Sequence, residues 1–355
     1  MTHQDAATSE ETIHSEERRS TEGQRDVRWR AVRTWVGLAV GIALLWLALR
    51  NVAWEDFAAV LVHTRWSWLA LAWATILLTT WAKASRWQYL FRASGGNSSW
   101  LRVLAILSVG QLVNVVVPSR LGELARAYLA GREEGGAFAA ALGTIVVEKT
   151  LDGIAAIGLI VVMGLTLALP GWFRSASVSF ASLLALLLLL VIGVTLARNR
   201  LAHWVARLPE RWQPHLREGL RGIGILRERR ALFPTLLLTV IIWLLAASTN
   251  YVLFAALGLP LSVAAALLVL VTGHIGALVP VVPGQLGVFH YLIVLALAAF
   301  GIGREVAMPY AIVLYVMVYG TIAGLGVGGL WWLSTGWHML LSQLRTASRK
   351  ATKTR

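Results

Sequence analysis

Six apolar runs, each near the length that crosses a lipid bilayer, dominate the chain: 34–50, 67–82, 137–169, 177–197, 233–257 and 307–333. A helix needs ~20 such residues to pass through the hydrocarbon core. Two further apolar stretches, 101–130 and 262–300, are interrupted near their middles. Pro118 and Gly122 fall in the first, and Pro280, Pro283, Gly284 and Gly287 in the second. Proline removes a backbone donor and clashes with the preceding turn, so each stretch is expected to break there.

Composition supports the same reading. Of 355 residues, 57% are hydrophobic and 14% charged, against ~45–50% and ~25% in soluble domains. This excludes a soluble enzyme, a disordered tail protein and a secreted disulfide scaffold. With no cysteine, disulfides, thiolate zinc sites and thiol nucleophiles are excluded as well. Lys and Arg number 32 against 18 Asp and Glu, a formal +14. These basic residues lie between apolar runs, where retention on the cytoplasmic side explains them better than nucleic acid does.

Charge also sets the expected topology. If both broken stretches turn back as re-entrant hairpins and the N-terminus is cytoplasmic, 25 Lys and Arg lie inside and four outside, with Arg120, Arg126 and Lys149 inside apolar stretches. A full crossing by 101–130 would put the nine Arg of 198–230 outside, against the positive-inside tendency. The expected fold is therefore an all-α polytopic membrane protein with about six spanning helices and two oppositely oriented hairpins. Residues 1–33 are expected to form a disordered cytoplasmic tail, 34–335 the membrane domain, and 336–355 a basic cytoplasmic tail. Within 198–230, Leu201, Trp204, Val205 and Leu208 recur at helical spacing among arginines. That fits either an amphipathic helix on the anionic inner leaflet or a basic connecting loop. Trp35, Trp66, Trp68, Trp81, Trp172, Trp331 and Trp332 sit at segment ends, as an interfacial belt requires.

The two broken stretches share a pattern. Val116-Val117-Pro118-Ser119-Arg120-Leu121-Gly122 and Val281-Val282-Pro283-Gly284-Gln285-Leu286-Gly287 both read V-V-P-x-x-L-G. Similar broken hairpins entering from opposite faces build the midplane sites of inverted-repeat transporters. The alternative is a pair of ordinary proline-kinked helices.

Charges inside the apolar part mark the candidate site. Glu148 and Asp152 lie four apart on one face of the 137–169 run, with Thr144 one turn earlier and Lys149 about 100° round the helix. An ionised carboxylate at that depth costs at least ~2.5–3.5 kcal/mol on insertion scales and needs partners or water. Arg120, Glu123 and Arg126 follow one another at spacing three, so the return helix of the first hairpin carries cation, anion, cation on one face. These groups suit either a structural ion-pair network or a site in which Arg120, Arg126 and Lys149 attract a phosphate. Gln111, Asn114, Asn250, His274, Gln285 and His290 supply further polar groups, the histidines being secondary candidates. The sequence holds no metalloprotease helix, phosphate-binding loop, nucleophile elbow or dinucleotide fingerprint, and no metal or cofactor is expected.

Taken together, Pro118-x-Arg120-x-Gly122-Glu123-x-x-Arg126 and Glu148-Lys149-x-x-Asp152 resemble the hallmark motifs of the lysylphosphatidylglycerol synthase transmembrane-region family, also called flippase-like. Pro283-Gly284-Gln285-Leu286-Gly287 is similar to its Pro-Gly-Gly-x-Gly motif, with Gln285 where the family commonly has glycine and His290 where it commonly has glutamate. The resemblance spans roughly 35–335. It implies an inner-membrane lipid translocase or related lipid-handling protein. The soluble aminoacyl-transferase domain of two-domain members is not expected, nor is synthesis of aminoacylated lipid.

The leading expectation is a lipid translocase that moves an anionic or zwitterionic phospholipid, or a lipid-linked headgroup, between leaflets of the inner membrane. Both termini would be cytoplasmic. The partners expected are membrane phospholipid and the anionic inner leaflet, not nucleic acid; a homo-oligomer or an envelope-assembly enzyme remains open. Two other classes stay in view. One is a membrane enzyme on a lipid or polyprenyl-phosphate headgroup with Glu148 or Asp152 as general base. The other is a non-catalytic partner of envelope assembly.

Overall fold

The computed structural model describes residues 64–116, 121–133, 138–166, 171–197, 229–277, 283–285 and 287–353, with single positions 62, 200 and 205. Pro118, Arg120 and Pro280, the 34–50 run, the N-terminal tail and nearly all of 198–228 lie outside them. The regular structure of these residues is entirely helical: α1 (Trp66–Ala93), α2 (Trp100–Val116), α3 (Gly122–Glu133), α4 (Phe138–Thr166), α5 (Gly171–Leu196), α6 (Arg229–Ala256), α7 (Val263–Ala277), a 3-10 turn (Pro283–Gln285), α8 (Val288–Ala298) and α9 (Arg304–Lys353).

By length and composition, Ala231–Ala256 and Arg304–Leu333 suffice to cross a membrane. Helices α1, α4 and α5 have 28, 29 and 26 residues, or about 39–44 Å at 1.5 Å per residue. Large apolar side chains point outward along them, including Leu186, Leu189 and Leu190 on α5 and Leu244 on α6. Trp66 and Trp68 are exposed at the start of α1, Trp81 midway along it, and Trp331 and Trp332 near the end of the apolar part of α9. A chain that presents this much hydrocarbon on its outside is built for a lipid solvent.

The two broken stretches fold as pairs of short helices, and in each pair the chain reverses. In the first, Asn114 and Gly110 of α2 lie against Gly122 and Arg126 of α3. A Cβ on Gly122 would strike the Gly110 carbonyl, so this pair of glycines is what lets the two backbones touch. In the second, Gly273 and Gly276 of α7 face Phe289, Leu292 and Ile293 of α8. With 12 and 11 residues, α3 and α8 rise only about 16–18 Å, too little to cross the hydrocarbon core.

The helices recur in order. The shared V-V-P-x-x-L-G pattern is displaced by 165 residues, from Pro118 to Pro283. Moving the starts of α1 to α4 (66, 100, 122 and 138) by that amount gives 231, 265, 287 and 303. The later helices start at 229, 263, 288 and 304. In each set the helices have the succession long, short, short, long. Helices α1 and α6, first members of the two sets, pack against one another along their lengths, and α9 packs on α2. There Gly326 and Gly329 admit Leu112, Ser108 and Ala105 at close range. The break of the second stretch reaches the tip of α2, with Gly284 beside Val115.

One expectation needs correction. The apolar run 67–82 ends before Lys83, which put Lys83 and Arg86 among the cytoplasmic charges. Helix α1 instead continues to Ala93, and Arg86 is 0% exposed. The run ended where charge began, but a charge that finds an ion partner stays in the helix. On the expected topology, setting these two aside leaves 23 basic residues on the cytoplasmic side against four on the other. At the other end, α9 carries on through Lys353, over the stretch expected as a basic tail.

Candidate functional site

Helix α4 places Glu148 and Asp152 on one face, as their spacing requires, and two guanidinium groups meet them. Arg126 of α3 donates from Nη1 and Nη2 to the two Glu148 oxygens at 3.2 and 2.8 Å. Arg86 of α1 grips Asp152 in the same two-pronged way at 2.7 and 3.0 Å. It also reaches Thr239 of α6 at 3.1 Å, and its Nη2 lies 3.6 Å from Glu148. Such parallel pairs combine charge with fixed geometry. Arg126 lies over the Trp87 ring, 4.3 Å from its centroid, and the Trp87 indole donates to Thr144 at 3.0 Å. The network therefore ties α1, α3, α4 and α6 together in a nearly dry interior.

Glu123 and Lys149 form a separate, more exposed pair at 3.2 Å. Asn114 completes that corner. Its Oδ1 accepts from the Gly122 amide at 2.7 Å, which caps the start of α3, and its Nδ2 donates to Glu123 at 3.2 Å. The proposed phosphate-attracting set thus divides: Arg126 is committed to Glu148, Lys149 faces Glu123, and Arg120 lies outside the described residues. Glu148 and Asp152, each held by an arginine fork, are poorly prepared to accept a proton from a substrate.

A second polar region lies between the two sets of helices. A cavity of about 250 Å³ is bounded by α1, α2, α6, α7, the 3-10 turn, α8 and α9. Its polar lining includes Lys83, Gln111, Asn250, His274 and Gln285, with Thr79, Thr80 and Thr249 beside them. Asn250 accepts from the Tyr310 hydroxyl at 3.0 Å. His274 Nδ1 is 2.9 Å from the Leu270 carbonyl, and its ring stacks on Trp243. Lys83 makes no hydrogen bond or ion pair with a described residue. Gln285 Oε1 is likewise buried without a partner. Among Lys83, Arg86, Arg126, Glu148 and Asp152 there are three cations and two carboxylates, and the unmatched cation is the one that faces the cavity.

The second hairpin carries a strained backbone at its break. Gly284 and Gln285 have φ of 61° and 56°, and Gly287 has 81°. Left-handed geometry suits glycine and penalises a side chain, which explains why glycine is common where this chain has Gln285. Tyr315 donates to the Gly284 carbonyl at 2.9 Å. His290 does not line the cavity; it is buried against Phe289 and Tyr315, and its Nδ1 has no partner.

Of the residues singled out in the sequence, Glu148, Asp152 and Arg126 join this ionic network and Gln285 lines the cavity, whereas Arg86 and Lys83 were not among the site candidates. The signal was present: Thr75, Thr79, Lys83 and Arg86 recur at helical spacing and mark one polar face of α1. Among the described residues no three His, Asp or Glu side chains gather as a metal site requires.

The family model described as the lysylphosphatidylglycerol synthase TM region matches residues 34–326. A UPF0104 membrane protein of Methanothermobacter thermautotrophicus is 22% identical over 267 residues, which covers 69% of this chain and 79% of the relative.

Proposed function

The chain belongs to the lysylphosphatidylglycerol synthase transmembrane-region family, and we propose that it is a lipid translocase of the inner membrane. It carries an anionic or zwitterionic phospholipid, or a lipid-linked headgroup, from one leaflet to the other. Its termini are cytoplasmic, six helices span, and the α2–α3 and α7–α8 pairs enter from opposite faces as an inverted repeat. The observation that carries this reading is the cavity between the two sets of helices, whose largely apolar wall carries Lys83, Gln111, Asn250, His274 and Gln285, inside a protein whose outside is apolar. A headgroup crosses hydrocarbon slowly because its charge must be desolvated; a polar passage at the midplane lowers that barrier while the acyl chains stay in lipid.

The recurrence at 165 residues, the short lengths of α3 and α8, and the meeting of Gly284 with Val115 support the inverted-repeat architecture. The arginine forks on Glu148 and Asp152 favour transport over a reaction that uses either as general base. The test is leaflet exchange of labelled lipids in proteoliposomes. Faster exchange of chemically unchanged lipid than in protein-free vesicles supports the proposal. Chemical turnover of the lipid without exchange would assign the chain to the enzyme class instead.

A further inference from the structure

We infer that the Lys83 cavity and an apolar groove beside it form one binding site for a single phosphate-bearing lipid. The anionic headgroup sits on Lys83, and one hydrocarbon chain lies between α1 and α9. The inference rests on the lipid-translocase reading and specifies where and by what chemistry the lipid is held.

The groove has a volume of about 510 Å³ and follows α1 from Trp66 through Trp73 to Leu77, against Val316, Gly320 and Gly324 of α9. From Trp66 to Leu77, eleven steps along α1, the helix rises about 16 Å, so the space is elongated, as a hydrocarbon chain is. Gly320 and Gly324 lie one turn apart, and a Cβ on either would meet nothing within 4 Å. These glycines leave the groove open and bring no neighbouring helix into contact there.

Groove and cavity adjoin. Ile76, Thr79, Thr80 and Lys83 take the lining of the cavity onward along α1, and Thr321 borders both spaces. The Trp73 indole donates to Thr321 at 2.9 Å at this boundary. An occupant that filled both would be apolar along one end and polar at the other.

The polar end is selected by charge. An ammonium in low-dielectric surroundings attracts an anion far more strongly than it would in water, and among the described residues no carboxylate lies within ion-pair distance of Lys83; Asp152 and Glu148 act on it only from farther off. Gln111 from the first hairpin and Gln285 from the second line the same cavity and can hydrogen-bond phosphate oxygens or headgroup hydroxyls. The cavity is many times larger than one ordered water requires. The chain end gains little hydrophobic free energy on leaving lipid for protein, so it contributes position while Lys83 contributes selectivity.

The test uses the full-length protein in phosphatidylcholine vesicles doped with a phosphatidylglycerol that carries a photoreactive acyl chain. Crosslinks should map to α1 between 66 and 77 and to α9 between 316 and 325. Unlabelled phosphatidylglycerol should compete, and phosphatidylcholine should compete weakly. Lys83→Gln should lower the preference for the anionic lipid by about tenfold, a loss of ~1.4 kcal/mol. Lys83→Arg should keep most of it, which separates loss of charge from loss of fold. Gly324→Leu should reduce labelling by the photoreactive phosphatidylglycerol without lowering the thermal unfolding temperature. An unchanged preference in Lys83→Gln, or crosslinks that map elsewhere, would overturn the site. Competition by glycerol 3-phosphate as strong as that by the lipid would mean an aqueous anion site and overturn it too. Labelling as described without leaflet exchange would overturn the translocase reading and leave the site standing. Normal exchange of anionic lipid by Lys83→Gln would do the reverse.

Discussion

Arg86 and Arg126 approach the carboxylates of α4 from two sides, and removal of Arg126 leaves the buried Glu148 without its two-pronged partner, whereas Asp152 is partly exposed. Breaking a buried pair by deleting one partner costs ~3–5 kcal/mol. Arg126→Gln should therefore destabilise strongly, since Glu148 is 4% exposed and Arg126 is its two-pronged partner. Arg126→Gln with Glu148→Gln should be milder than the two single losses added, by roughly 1–3 kcal/mol in thermal or denaturant unfolding. Strict additivity would contradict the contact. Lys149→Ala should cost no more than ~1 kcal/mol, because its pair with Glu123 is partly exposed. Gln285 presents the opposite case. Gln285→Gly relieves a left-handed backbone and should hold or raise stability by up to about 1 kcal/mol, while removal of its amide from the cavity slows lipid exchange. Slower exchange with unchanged stability would identify the side chain as functional; unchanged exchange would give it no role in transport. At this scale the carboxylate face was legible because two acids four residues apart on an apolar helix have one geometric meaning. Of their partners Arg126 was among the candidates and Arg86 was not, because a cation's depth depends on where its helix ends, and Arg86 looked like an end.

Among the elements, four long apolar runs, 137–169, 177–197, 233–257 and 307–333, correspond to α4, α5, α6 and α9, and both proline-glycine interruptions fall between short helices. Periodicity and hydropathy fix such helices well. They do not fix how two short helices lean on each other, which depended on Gly110 meeting Gly122. That contact predicts that Gly122→Ala destabilises the first hairpin, since a methyl group there meets backbone; an unchanged unfolding temperature would refute it. The proposed topology is testable by cysteine labelling against a native background with no cysteine. Cysteines at Gly135 and Arg217 should react only from the cytoplasmic side, and those at Ser175 and Gly303 only from the other. Opposite-side labelling of Gly135 and Arg217 would mean that 101–130 crosses the membrane.

For the whole molecule, the contact of α9 with α2 joins the later set of helices to the earlier one. A disulfide between Leu112→Cys and Gly326→Cys should fix that junction. If transport needs the two sets to shift, exchange should stop on oxidation and return with a reductant. Equal rates in both states would show that this junction does not move. The ionic network distinguishes the two sets. Displaced by 165 residues, Arg86, Arg126, Glu148 and Asp152 become Tyr251, Tyr291, Val313 and Met317. One set is held by charge through α1, α3 and α4, and Arg86 reaches across to Thr239 of α6, the first helix of the other; at the displaced positions that other set has aromatic and aliphatic side chains. Two sets alike in the order of their helices are thus held together by unlike chemistry.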